Sequence, residues 1–120
     1  MNGHICHVEI PADNIGALRK FYGGVFEWDF EKMPGDIEYY EVKQGEGEPR
    51  VGTMARQDPS QTPTFYVCVE SIDASLGRAK EEGATVIVPK SAVKGYGWYA
   101  VALDPQKNLF GFWQADEKAA

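Results

Sequence analysis

The sequence predicts an α+β fold in which one βαβββ unit is given twice. In each half an alternating apolar run leads into a helix with a polar cap, and three further strands follow. Landmarks of the two halves coincide at one offset: Val8 and Ile10 fall on Val67 and Val69, Gly24 on Gly83, and His7 on Tyr66. Such a match points to an internal duplication. The chain also closes on a strong hairpin. Trp98–Leu103 and Leu109–Trp113 flank Asp104-Pro105-Gln106-Lys107-Asn108, where Pro presets φ and Asp and Asn satisfy turn backbone.

Each element follows from its own pattern. Ile5–Ile10 alternates, with Cys6, Val8 and Ile10 on one face and Ile5, His7 and Glu9 on the other; Pro11 is expected to end this strand. Asp13 or Asn14 can cap a helix carrying Ile15, Leu18, Tyr22 and Val25 at helical spacing, with Gly23-Gly24 as its stop. Strands are expected at Phe26–Met33, Ile37–Gln44 and Val51–Ala55, with a loop at Gly45–Pro49. Gly52 weakens its strand or marks a close approach of another group. Gln57–Pro63 is polar, carries two prolines and reads as the linker between a first module, 1–57, and a second, 62–120. Thr64–Glu70 is a strand with Phe65, Val67 and Val69 on one face. Ser71 or Asp73 caps a helix carrying Ile72, Leu76 and Ala79, ended by Gly83. Thr85–Val88 is a strand stopped by Pro89, and Lys90–Gly97 is a loop before the hairpin.

Composition narrows the function classes. The 120 residues carry 18 acidic and 12 basic side chains, and the basic ones form no stripe, so nucleic acid and anionic membrane are poor partners. No apolar run approaches the roughly 18 residues of a membrane span. The N-terminus shows no basic segment followed by an apolar one, so the expected location is cytoplasmic. Cys6 and Cys68 sit in strand-like apolar runs, where a free Cys is usually a small buried hydrophobe.

A doubled βαβββ unit with this ending resembles the vicinal oxygen chelate superfamily, which includes glyoxalase I, extradiol dioxygenases and bleomycin-resistance proteins. The resemblance is carried by H-V-E-I-P-A-D-N-I-G-A-L-R-K-F-Y-G-G-V-F-E-W (7–28), V-E-S-I-D-A-S-L-G-R-A-K-E-E-G-A (69–84) and L-D-P-Q-K-N-L-F-G-F-W-Q (103–114). It implies a single glyoxalase-like domain over 1–120, in which two modules form a curved mixed sheet around a cleft with helices outside. It also implies a small-molecule ligand and a homodimer.

The resemblance and strand parity together give the candidate site. His7, Glu9, Met54, Tyr66, Cys68, Trp98 and Trp113 are expected to line the cleft, and Phe110 and Phe112 to face the helix. Metal-dependent relatives place one ligand on each of three or four strands, because a Lewis-acidic ion needs converging donors at about 2.0–2.2 Å. His7 matches the first such position. The equivalent on the fifth strand is Tyr66, the final-strand glutamate is replaced by Gly111, and the fourth-strand position falls among Gly52, Thr53 and Met54. No cofactor is therefore expected. A divalent metal held by His7 and Glu9, with Glu38, Glu41 or His4 assisting, is the alternative.

The reading that follows is a metal-independent small-molecule-binding protein with an apolar or aromatic cleft. Its rivals are a metal-dependent lyase, isomerase or dioxygenase using His7 and Glu9, an antibiotic-sequestering protein without turnover, and a structural domain with a filled cleft. Glu9 is the candidate general base, or else an ion-pair partner of Arg50 or Arg56. Cys68 is a packed thiol unless His7 lowers its pKa.

Overall fold

The structure, a computed structural model, describes residues 3–43, 47 and 49–120. Its contacts divide the chain into two compact units: His7–Pro63, and Thr64–Ala120 together with the segment ending at Cys6. Among the described residues the elements run β1 (Ile5–Ala12), α1 (Ile15–Phe26), β2 (Phe30–Lys32), β3 (Tyr39–Val42), β4 (Arg50–Ala55), β5 (Thr64–Cys68), α2 (Ile72–Glu81), β6 (Thr85–Val93), β7 (Gly97–Leu103) and β8 (Leu109–Ala115). The βαβββ order is thus repeated, as the sequence predicts. No helix among the described residues is long and apolar enough to cross a membrane.

In the His7–Pro63 unit the strand order is β2-β3-β4-β1. β1 and β4 run parallel, with His7 opposite Arg50, Glu9 opposite Gly52 and Pro11 opposite Met54. β3 is antiparallel to both β4 and β2. β1 continues through Pro11 to Ala12, whose carbonyl accepts from Arg56 N at 2.8 Å. A proline this close to a strand end forfeits a single ladder donor, so it does not stop the strand. Thr53 is sealed on the opposite face and donates its hydroxyl to the Ile10 carbonyl at 2.7 Å.

The helix α1 starts where the Asn14 side chain accepts from Ala17 N at 2.9 Å, so Asn14 and not Asp13 is the cap. It runs past Gly23-Gly24 to Phe26, three residues beyond the expected stop at Gly23. Glu27 then closes it in the left-handed region at φ 60°, donating its N–H to Gly23 O at 2.9 Å. Stacking of Tyr22 on Trp28 (centroids 5.1 Å apart) holds this end against the chain that follows. β2 is correspondingly short, and Val25, at helical spacing with Ile15, Leu18 and Tyr22, is 56% exposed. The expected loop at 45–49 lies outside the described residues except for Gly47 and Pro49, and the predicted strand end at Gln44 is outside them too.

The other unit has strand order β5-β8-β7-β6. The backbone of Gly3 and His4 also pairs with Cys68 of β5, at 2.7 and 2.8 Å. The hairpin is as predicted: β7 and β8 pair from Gly97↔Ala115 to Leu103↔Leu109, leaving 104–108 as the loop. Asp104 organises that loop by accepting from Gln106 N and Asn108 N. Under α2, Val69, Ile72, Ala100, Ala102 and Phe112 form the core, with Val67, Leu76, Ala79, Trp98 and Phe110 packed on it. Each large apolar side chain so buried contributes about 1.5–3 kcal/mol. Ser71 caps α2 by accepting from Ala74 N, as expected.

β6 corrects the sequence reading. It runs to Val93, through Pro89, with register shifts on both sides of Val88. β6 pairs only with β7 in this unit's order, so Pro89 sits on an edge, where a missing N–H and a bulge are tolerated. Lys90–Val93, expected in a loop, is therefore strand.

Candidate functional site

Strand parity puts His7, Glu9 and Pro11 of β1 on the face of the His7–Pro63 sheet away from Thr53. Register adds Arg50, Gly52 and Met54 from β4, and Tyr39 and Glu41 from β3, because Tyr39 lies opposite Met54 and Glu41 opposite Gly52. His7, Glu9 and Met54 thus share a face of this sheet.

Tyr39 organises this face, and sequence reasoning did not single it out. A Cβ on Gly52 would run into the hydroxyl and ring of Tyr39. The bare glycine is what lets the phenol lie flat across β4 and reach β1. There its oxygen meets His7 Nε2 at 2.7 Å, and the two ring planes lie within 19° of parallel with centroids 6.3 Å apart. The same hydroxyl donates to Glu9, which favours the carboxylate. The signal in the sequence was Gly52: a glycine inside a strand marks a close approach, and Tyr39 is the group that approaches.

Burial tunes both acid–base groups. It pushes the Glu9 carboxyl above its ordinary range, and the Tyr39 hydrogen bond offsets part of that rise. It pushes His7 below its ordinary value; the Glu41 charge works against this and the Arg50 charge with it. His7 is therefore neutral near pH 7. Arg50 is engaged by Glu41, with Nε 3.0 Å from Oε1. Arg56 pairs with Asp13 at 2.8 Å and also donates to the Gln61 carbonyl. The two arginines expected to pair with Glu9 thus have other carboxylate partners.

The second unit has a face of a different character. Tyr66 lies opposite Gly111, and Cys68 opposite Trp113, which pairs with Tyr99. A Cβ on Gly111 would run into the Tyr66 ring. Tyr66, Cys68 and Trp113 therefore share one face of this sheet. Trp98 does not, and this corrects the expectation. It pairs with Gln114, packs on the α2 core, donates its indole N–H to Asp116 at 3.0 Å and lies under the Lys90 ammonium. Trp98 and Trp113 sit on cross-strand positions of opposite parity, so aromatic character alone misassigned the first. Neither Cys6 nor Cys68 is in a disulfide, and Cys6 Sγ donates to the Tyr66 carbonyl at 3.7 Å.

The donor set does not fit a resident divalent metal. Such a centre takes at least three protein donors around the ion. Here His7 Nε2 and Glu9 are bonded to one phenol that covers Gly52, while the Tyr66 ring covers Gly111. Among the described residues no group of three or more His, Cys, Asp or Glu side chains comes together as a metal site.

Comparison with known proteins agrees with the architecture. No protein-family model matches the chain. Proteins named "Putative glyoxylase CFP32" in Mycobacterium bovis and Mycobacterium tuberculosis are 24% identical over 116 residues, covering 91% of this chain. The chain spans less than half, 44%, of their length. Among solved structures, a glyoxalase/bleomycin resistance protein/dioxygenase superfamily member from Vibrio splendidus 12B01 superposes with TM-score 0.69 at 16% identity, over 93% of this chain and 98% of that one. Methylmalonyl-CoA epimerase from Mycobacterium tuberculosis gives 0.68 at 15% identity, over 95% and 88%.

Proposed function

We infer that this chain, which has the fold of the vicinal oxygen chelate superfamily, binds a small organic molecule and does so without a resident metal ion. The observation that carries this reading is the Tyr39 hydroxyl seated over Gly52, bonded to both His7 and Glu9. The donors that a metal would need are engaged by a neutral phenol, and the result is a preorganised hydrogen-bonding patch. Its polar groups are half-buried and fixed in place, which is how small-molecule sites orient a ligand. Met54 adds apolar surface beside it. Tyr66, Cys68, Tyr99 and Trp113 give the other unit an apolar face suited to planar groups. The mycobacterial relatives, named as a glyoxylase, agree with a small-molecule role.

Thermal-shift screening against small aromatic and carbonyl compounds, without metal, tests the reading. A ligand at a hundredfold its Kd stabilises by about 2.7 kcal/mol, a shift that is easily read. The expected result is compounds that raise the Tm of the wild type and fail to do so for His7→Ala. A Tm that rises only when divalent metal is added, and only with His7 present, would overturn it.

A further inference from the structure

The Tyr39 hydroxyl carries one proton and touches two groups able to take it. A carboxylate can only accept, whereas a neutral imidazole nitrogen either donates or accepts, according to its tautomer. The proton shared with Glu9 leaves the phenol oxygen as an acceptor toward His7, 2.7 Å away. The ring nitrogen at that distance must then be the donor.

We propose that Tyr39, held in its seat over Gly52, is the positioning residue of this face: it donates its O–H to the Glu9 carboxylate and so fixes His7 with its proton on Nε2 and its lone pair on Nδ1. The inference rests on the metal-free reading above and deepens it. Any group that meets His7 through Nδ1, from protein or ligand, must donate. A ligand engaging His7 is therefore one that presents an O–H or N–H group; a carboxylate or carbonyl oxygen would face a lone pair. Burial keeps His7 neutral near pH 7, so its tautomer is a defined quantity there.

Gly52 makes the arrangement testable without altering any of the three side chains. In Gly52→Ala the new methyl would occupy the place of the Tyr39 hydroxyl. The backbone at Gly52 does not have the positive φ that would penalise alanine, so the strand is retained. The experiment is multiple-bond 1H–15N NMR of the imidazoles in the 15N-labelled full chain near pH 7, in chelator and again with added zinc. In chelator, wild-type His7 is expected to be protonated on Nε2. Tyr39→Phe and Gly52→Ala should both shift it toward a mixture of tautomers, while His4 and the dispersion of the amide spectrum stay unchanged. A wild-type His7 protonated on Nδ1 would overturn the proposal, and so would Gly52→Ala with the wild-type tautomer. A zinc-dependent shift of the His7 ring nitrogens, reversed by chelator, would instead overturn the metal-free reading and leave the tautomer result in chelator to stand by itself.

Discussion

Ile72→Ala is expected to cost about 2–5 kcal/mol of stability, the range for removing a large aliphatic side chain from a core that cannot collapse. Ile72 is 0% exposed and sits at the start of α2, among Val69, Ala100, Ala102 and Phe112. The three strand residues are fixed by ladder pairing, and two of them are alanines with no side chain to swing into the gap. The start of the helix is also pinned, because the Gln114 side chain accepts from Ile72 N at 2.9 Å. The hole therefore stays open, and the variant loses contacts as well as transfer energy. Urea denaturation followed by tryptophan fluorescence reads the loss. A change below about 1 kcal/mol would mean that this core repacks freely, contrary to the account.

Gly111→Glu is the second substitution expected to have a large effect. It supplies the carboxylate that metal-dependent members of the superfamily carry on the final strand. The new side chain would start inside the Tyr66 ring, which lies over Gly111. Overpacking of this kind costs about 1–3 kcal/mol. The variant is expected to lose stability and to gain no metal, because His7 and Glu9 remain tied to Tyr39. The double variant with Tyr66→Ala should recover much of the loss, since the two residues touch and their effects are not additive. Equal losses in the single and double variants would show that the Tyr66 ring is not the obstacle. Tight, stoichiometric metal uptake by Gly111→Glu would show that the donors are available after all.

Much of this architecture was legible in the sequence because it rests on parity and turn chemistry. Two-residue alternation placed His7 with Glu9 and Phe110 with Phe112, and Asp104 with Asn108 marked the loop between β7 and β8. The misses were positions where tertiary packing overrides a local signal. Gly23-Gly24 reads as a stop, yet aromatic packing and the left-handed Glu27 carry α1 to Phe26. Pro89 reads as a terminator, yet an edge strand with a bulge absorbs it. Trp98 was misassigned by its chemistry, and its partner Gln114 shows the true face. Tyr39 was invisible as one aromatic in a short, weakly alternating strand. Only its contact with Gly52, thirteen residues further along the chain on the neighbouring strand β4, reveals its role.

The central claim is that a phenol, and not an ion, sits between His7 and Glu9. Elemental analysis of protein purified without chelator measures it most directly. The account predicts divalent metal far below one ion per chain, with no difference between the wild type and His7→Ala. One tightly held ion per chain in the wild type, absent from His7→Ala, would contradict it.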